Sequence, residues 1–168
     1  MKVRNITAIS LLSAVALILF VIEAQIPPIV PVPGIKLGLA NVVIVFTAYA
    51  LSRKKAAFVL AVRVILGAIF TGQALALIYS ACGALVSFAL LCAVKGAFTK
   101  RQMWAVSGFC AIAHNAAQLC AAAAIMQTTA VFWYAPALCI SGIVTGLFTG
   151  FAAQFTLNGL DKAGFKFS

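Results

Sequence analysis

The chain has 168 residues, 65% of them hydrophobic and only 8% charged, with a formal net charge of +10. A soluble domain of this length cannot bury so much apolar surface, and the apolar runs reach the roughly 20 residues needed to cross hydrocarbon. The class is therefore a multi-pass all-α membrane protein, read as a single integral membrane domain over residues 1–168; the period-two alternation of a β-barrel is absent.

The first expected span, Ile6–Ala24, follows Lys2 and Arg4. A basic start before an apolar run resembles a signal peptide, but the run is long and the cleavage pattern poor, so a retained helix is expected. Ser10 and Ala14 make a small-residue patch, which either packs inside or docks a partner helix.

The connection Glu23–Asn41, EAQIPPIVPVPGIKLGLAN, differs from everything around it. It holds Pro27, Pro28, Pro31 and Pro33 and one of the two acids of the chain. So stiff and polar a segment between oily helices reads as a lid or mouth of a binding site. Its prolines restrict the backbone, which lowers the entropic cost of closing over a ligand. Lys36 and Asn41 then lead into the second span, Leu37–Leu51. Unpaired N–H groups at a helix start favour an anion there; the other reading of Lys36 is an interfacial lysine snorkelling to water.

Ser52-Arg53-Lys54-Lys55 separates this span from the third, Ala56–Phe70. Both spans are about 15 residues, or ~22 Å. Such helices either end inside the protein and frame a cavity or have frayed, snorkelling ends. Arg63 lies ~12 Å beyond Lys55. An arginine at that depth costs at least about 2.5–3.5 kcal/mol, so it must face the interior or water. It is an anchor for an anionic substrate group, a structural pair with Glu23 or with broken-helix carbonyls, or both in different states.

Thr71-Gly72-Gln73 precedes the fourth span, Leu75–Val94, which carries Tyr79 and the Gly83/Ser87 pair. Residues 95–101 lead into the fifth, Met103–Met126. Here HNAAQ puts His114 and Gln118 four residues apart on one face with Asn115 beside them. Three polar groups at membrane depth form the wall of a cavity or hydrogen-bond between helices. Cys110 is one turn from His114, but no second histidine or carboxylate completes a metal site. Gln127-Thr128-Thr129 precedes the last span, Trp133–Leu157. Gly142, Gly146 and Gly150 form GxxxGxxxG there, and Ala113, Ala117 and Ala121 form a stripe in span five. Such stripes permit close backbone approach, within one subunit or across a homodimer. The five cysteines lie in apolar runs without a CxxC and read as packing residues.

Charge gives the orientation. Lys2, Arg4, Arg53, Lys54, Lys55, Lys95, Lys100, Arg101, Lys162 and Lys166 fall on one side; Glu23 and Lys36 fall on the other. The positive-inside rule then places both termini in the cytoplasm, and the proline-rich, TGQ and QTT connections outside. Tyr79, Trp133 and Tyr134 fall near that outer surface, where they also suit stacking on a ring. No basic face interleaved with aromatics exists, so nucleic acid is excluded as a partner.

No GxxxxGK[ST] is present, so ATP cannot be bound through a P-loop. Glu23 and Asp161 are the only acids, so no carboxylate-rich metal site exists, and no nucleophile–base–acid set is visible. Neither catalysis nor a cofactor is expected.

The motifs together resemble the Gx transporter family, labelled heptaprenyl diphosphate synthase component I. That family is grouped with the substrate-binding S components of energy-coupling-factor (ECF) transporters. The resemblance spans about residues 6–157. Its carriers are Glu23…Pro27, PGIKLGLAN (Pro33–Asn41), Arg63 with Gly67 and Gly72, YSACGALVS (Tyr79–Ser87), HNAAQ, and YAPAL with GIVTG (Tyr134–Gly146). The family usually has glycine where this chain has Ala117. The resemblance implies a six-helix S-component bundle with cytoplasmic termini, an outward pocket and the first loop as lid. It also implies a coupling transmembrane subunit and two ATPase subunits as partners, with Ser10 and Ala14 as docking candidates. The synthase label conflicts with the residues, since prenyl synthases hold Mg²⁺–diphosphate on aspartate clusters and this chain has one aspartate.

The expected function is therefore substrate capture in the bacterial cytoplasmic membrane. The ligand is a small anionic or zwitterionic vitamin or cofactor precursor, such as a flavin-like compound. Glu23, Lys36, Asn41, Arg63, Tyr79, His114, Asn115, Gln118 and Tyr134 are the candidate binding residues. The alternative is a non-catalytic membrane subunit associated with heptaprenyl diphosphate or quinone synthesis.

Overall fold

Apolar runs punctuated by glycine, proline and short basic clusters fold into helices in a computed structural model that describes residues 3–26, 38–72 and 74–164. Among these residues the elements are α1 (Val3–Gln25), α2 (Asn41–Ala50), α3 (Arg53–Thr71), α4 (Ala74–Val94), α5 (Met103–Met126) and α6 (Ala135–Lys162). Short 3-10 helices at Lys100–Gln102 and Ala130–Tyr134 lead into α5 and α6.

Six crossing helices are expected from the sequence. Six helices form, and four segments are long and apolar enough to cross a membrane: Asn5–Gln25, Leu77–Val94, Lys100–Met126 and Ala130–Lys162. The other two differ for separate reasons. α2 has 10 residues, about 15 Å of helix against ~30 Å of hydrocarbon. α3 has 19 residues, but Arg53, Lys54, Lys55 and Arg63 dilute its apolar character.

The sequence starts the second helix at Leu37; the structure starts it at Asn41. Gly38 has φ 82°, in the left-handed region that suits glycine. A turn then forms, with Asn41 N donating to Gly38 O at 2.9 Å and Val42 N to Leu39 O at 3.1 Å. Lys36 and the Pro27–Pro33 segment lie outside the described residues, and with them the expected lid and the lysine at its end. α3 begins earlier than expected, at Arg53, because Ser52 caps it by accepting from Lys55 N at 3.3 Å. The basic cluster is thus the first turn of α3 rather than a break. Pro136 fits the first turn of α6, where a missing N–H costs nothing.

Small residues set the packing. The Gly142–Gly146–Gly150 stripe lies against α5. A Cβ on Gly146 would come within 2.7 Å of Gly108 Cα and 2.9 Å of Ala111 Cβ. One at Gly142 would reach 2.9 Å from Asn115 Nδ2. Ser107 and Thr149 share a hydrogen bond of 2.9 Å across the same seam. The stripe is therefore spent within one chain, and the α5 face that receives it contains Ser107, Ala111 and Asn115 rather than Ala113, Ala117 and Ala121. At the other end of the bundle Lys95 donates to Ala48 O and sits 5.5 Å from the Tyr49 ring centroid, tying the end of α2 to that of α4.

Large apolar side chains cover the outside, while the interior, itself mostly apolar, also encloses charged and amide side chains. Phe70, Phe148 and Phe155 are about 70% exposed by the measure that leaves Arg63 at 1% and Gln118 at 0%. That arrangement suits a lipid environment. α1, α2 and α6 also line an apolar groove of about 780 Å³, flanked by Leu11, Leu19, Val42, Phe46 and Leu160.

Candidate functional site

The buried polar side chains converge where α1, α2, α3, α4 and α5 meet. Glu23, Asn41, Arg63, His114, Asn115 and Gln118 are all at most 9% exposed.

α1 supplies Glu23 from its last turn, on the face that also buries Ile9, Ser13, Ala16 and Phe20. Gly38 N donates to Glu23 Oε1, joining the end of α1 to the turn before α2. From α3, Arg63 Nη1 donates to Asn41 Oδ1 at 3.2 Å. The Arg63 guanidinium lies 5.1 Å from the Phe20 ring centroid, a cation–π contact that helps to hold a charge away from water. Gly67, one turn along α3, makes room for that ring: its added Cβ would stand 2.5 Å from Phe20 Cε1. Glu23, bonded to Gly38, and Arg63, bonded to Asn41, thus meet at the turn that opens α2.

α5 supplies the opposite wall. His114 and Gln118 both face Gly83 of α4. A Cβ there would come 2.8 Å from Gln118 Cγ and 3.0 Å from His114 Nδ1. His114 also borders Gly38, whose added Cβ would lie 3.9 Å from the imidazole Cδ2 and 3.0 Å from Asn41 Nδ2. The histidine therefore links the α5 wall to the Glu23–Gly38–Asn41 junction. Asn115 turns toward α6, donating from Nδ2 to Leu138 O at 2.9 Å. Its contacts thus serve interhelical bonding to α6.

Much of the hydrogen-bonding capacity is unused. Arg63 Nε, Asn115 Oδ1 and both amide atoms of Gln118 are buried without a hydrogen-bond partner. Each such atom costs about 1–3 kcal/mol, so this many in one cluster is unusual for a purely structural core. The arrangement can accept a small polar molecule that satisfies donors and acceptors together.

Other expected site residues lie elsewhere. Tyr79 is 2% exposed but sits in a separate apolar cluster with Leu119, Ala122, Val131 and Leu138. Tyr134 packs against the edge of that cluster. Trp133, 87% exposed, projects from the bundle rather than toward the polar cluster. Ser10 and Ala14 are on the exposed face of α1. Sequence reasoning missed Phe20 as the platform under Arg63. The signal was its place one turn before Glu23 on the inward face of α1. It also read Gly83 only as a packing glycine, although it borders both polar residues of α5.

Cys110, one turn from His114, is buried as a free thiol. Among the described residues no group of three or more histidines, cysteines or acids comes together that could hold a metal ion.

The family model described as heptaprenyl diphosphate synthase component I matches residues 12–156. No curated protein and no solved structure matches the chain. The match takes in α2 to α5 whole and most of α1 and α6, including every described residue of the polar cluster, and the chain belongs to the heptaprenyl diphosphate synthase component I family.

Proposed function

We propose that this protein is the membrane-embedded substrate-binding subunit of an ECF-type importer in the bacterial cytoplasmic membrane. Its ligand is a small anionic or zwitterionic vitamin or cofactor precursor. One observation carries the reading. A cluster built from four helices holds Arg63, Glu23, Asn41, His114 and Gln118 away from water with several polar atoms unsatisfied. A membrane protein keeps intramembrane ionisable groups chiefly where they bind or move something.

Both termini are cytoplasmic in this reading, on the positive-inside distribution of lysine and arginine. The connection between α1 and α2 then belongs to the outward side. ATP hydrolysis belongs to partner subunits, since the sequence has no P-loop. The subunit itself is non-catalytic. Ser10 and Ala14, small and exposed on α1, are the proposed contact for the coupling subunit. The test is uptake in cells carrying the transporter, with Arg63→Ala and His114→Ala variants that still reach the membrane. Both are expected to lose uptake; unchanged uptake in both would refute the site.

A second reading has a specific observation behind it. The family description names a synthase component, and the groove between α1, α2 and α6 is apolar and about 780 Å³, a size and lining that suit a prenyl chain. In this reading the chain is a non-catalytic membrane subunit for heptaprenyl diphosphate or quinone synthesis. With two acids in the whole sequence it would need a partner to hold Mg²⁺–diphosphate. Affinity purification separates the readings: ATPase subunits co-purify in the first, a soluble prenyl synthase in the second.

A further inference from the structure

Gln118 is the most completely buried polar side chain of the cluster, at 0% exposure, and neither Nε2 nor Oε1 has a hydrogen-bond partner. Its stem is held in place, because α4 approaches closely at Gly83. The amide end presents a donor and an acceptor side by side. A carboxylate offers only acceptors and would leave Oε1 unmet; an ammonium offers only donors and would leave Nε2 unmet. An edge with adjacent N–H and C=O groups meets both at once.

The local charges agree. Arg63 and Glu23 both belong to the cluster and carry opposite formal charges, and Arg63 is further held by Asn41 and the Phe20 ring. The part of a ligand that enters here meets a neutral polar surface rather than an uncompensated cation. Arg63 Nε, also unpartnered, adds one donor.

We propose that Gln118 is a specificity-determining residue, and that the molecule it reads carries a lactam, imide or carboxamide edge. The inference rests on the substrate-binding reading and narrows it, from charge recognition to recognition of an amide edge. It has a consequence that a structural glutamine would not have. An amide with no partner destabilises the empty protein, so Gln118→Leu, close in volume and apolar, removes a burden from the fold while removing ligand recognition.

The test uses the full chain purified gently from its expression host. Small molecules released on denaturation are identified by mass spectrometry, for the wild type and for Gln118→Leu and Gln118→Glu. The released compound is then methylated at its ring or amide nitrogen, and both forms are titrated into stripped protein. The expected compound has the N–H/C=O edge. Methylation weakens its binding to the wild type at least about 100-fold. Gln118→Leu fails to retain it, yet unfolds at a temperature equal to or above that of the stripped wild type. Gln118→Glu, which replaces the donor with an acceptor, also fails to retain it. A compound without such an edge, equal binding of the methylated form, or full retention by Gln118→Leu overturns the inference but leaves the substrate-binding reading standing. A wild type that releases no small molecule overturns that reading, and the inference with it.

Discussion

Arg63 shows how a costly residue is accommodated. A membrane-depth arginine costs at least about 2.5–3.5 kcal/mol, and the structure sets Asn41 Oδ1 and the Phe20 ring against that cost. Arg63→Lys is expected to lose ligand retention nearly as fully as Arg63→Ala. A compact ammonium cannot hold Asn41 and lie flat over Phe20 together. Radiolabelled uptake or ligand co-purification checks this, and full activity in Arg63→Lys would show that charge alone matters. Gly67→Ala is expected to destabilise by about 1–3 kcal/mol, since its Cβ collides with the Phe20 ring; thermal unfolding in detergent reads it. At this scale the sequence marked Arg63, His114 and Gln118 plainly, because polar groups in oily helices stand out. Phe20 was hidden because an aromatic in an apolar run looks like any other packing residue until its neighbour is known.

At the level of helices, glycine spacing predicted close approach but left the partner open. The partner is α5: Gly146 meets Gly108, Ala111 and Ser107. Gly146→Ala is expected to lower the unfolding temperature. Gly159→Ala, in the same helix with nothing within 4 Å of its added Cβ, is expected to be neutral or stabilising, given the helix propensity of alanine over glycine, about 1 kcal/mol. Equal effects at the two positions would contradict the α5–α6 seam. Helix boundaries were legible where a glycine marked them, as at Gly72. The start of α2 was not, because Gly38 breaks the helix through its positive φ, which apolar periodicity does not report. The Pro27–Pro33 segment remains a proposed lid. Its replacement by a Gly/Ser segment of equal length is expected to speed ligand release, because flexible chain loses more entropy on closing. Release rates unchanged from the wild type would reduce the segment to a connector.

Across the whole molecule, the membrane class followed from composition alone, and the apolar exterior of the structure accords with it. The proposed topology rests on the basic clusters. Single cysteines at Ser52 and Thr128, in an otherwise cysteine-free chain, are expected to label from opposite sides of the membrane; labelling from one side would refute the proposed orientation. The shared centre was less legible. Sequence spacing related His114 to Gln118, but residues as distant as Glu23, Arg63 and His114 become neighbours only through packing of separate helices. The central claim is that this centre holds a small molecule, and native mass spectrometry of the gently purified protein tests it most directly. The account requires one small molecule retained by the wild type and lost from Arg63→Ala and His114→Ala. A wild type of bare protein mass, or retention undiminished in both variants, would contradict it.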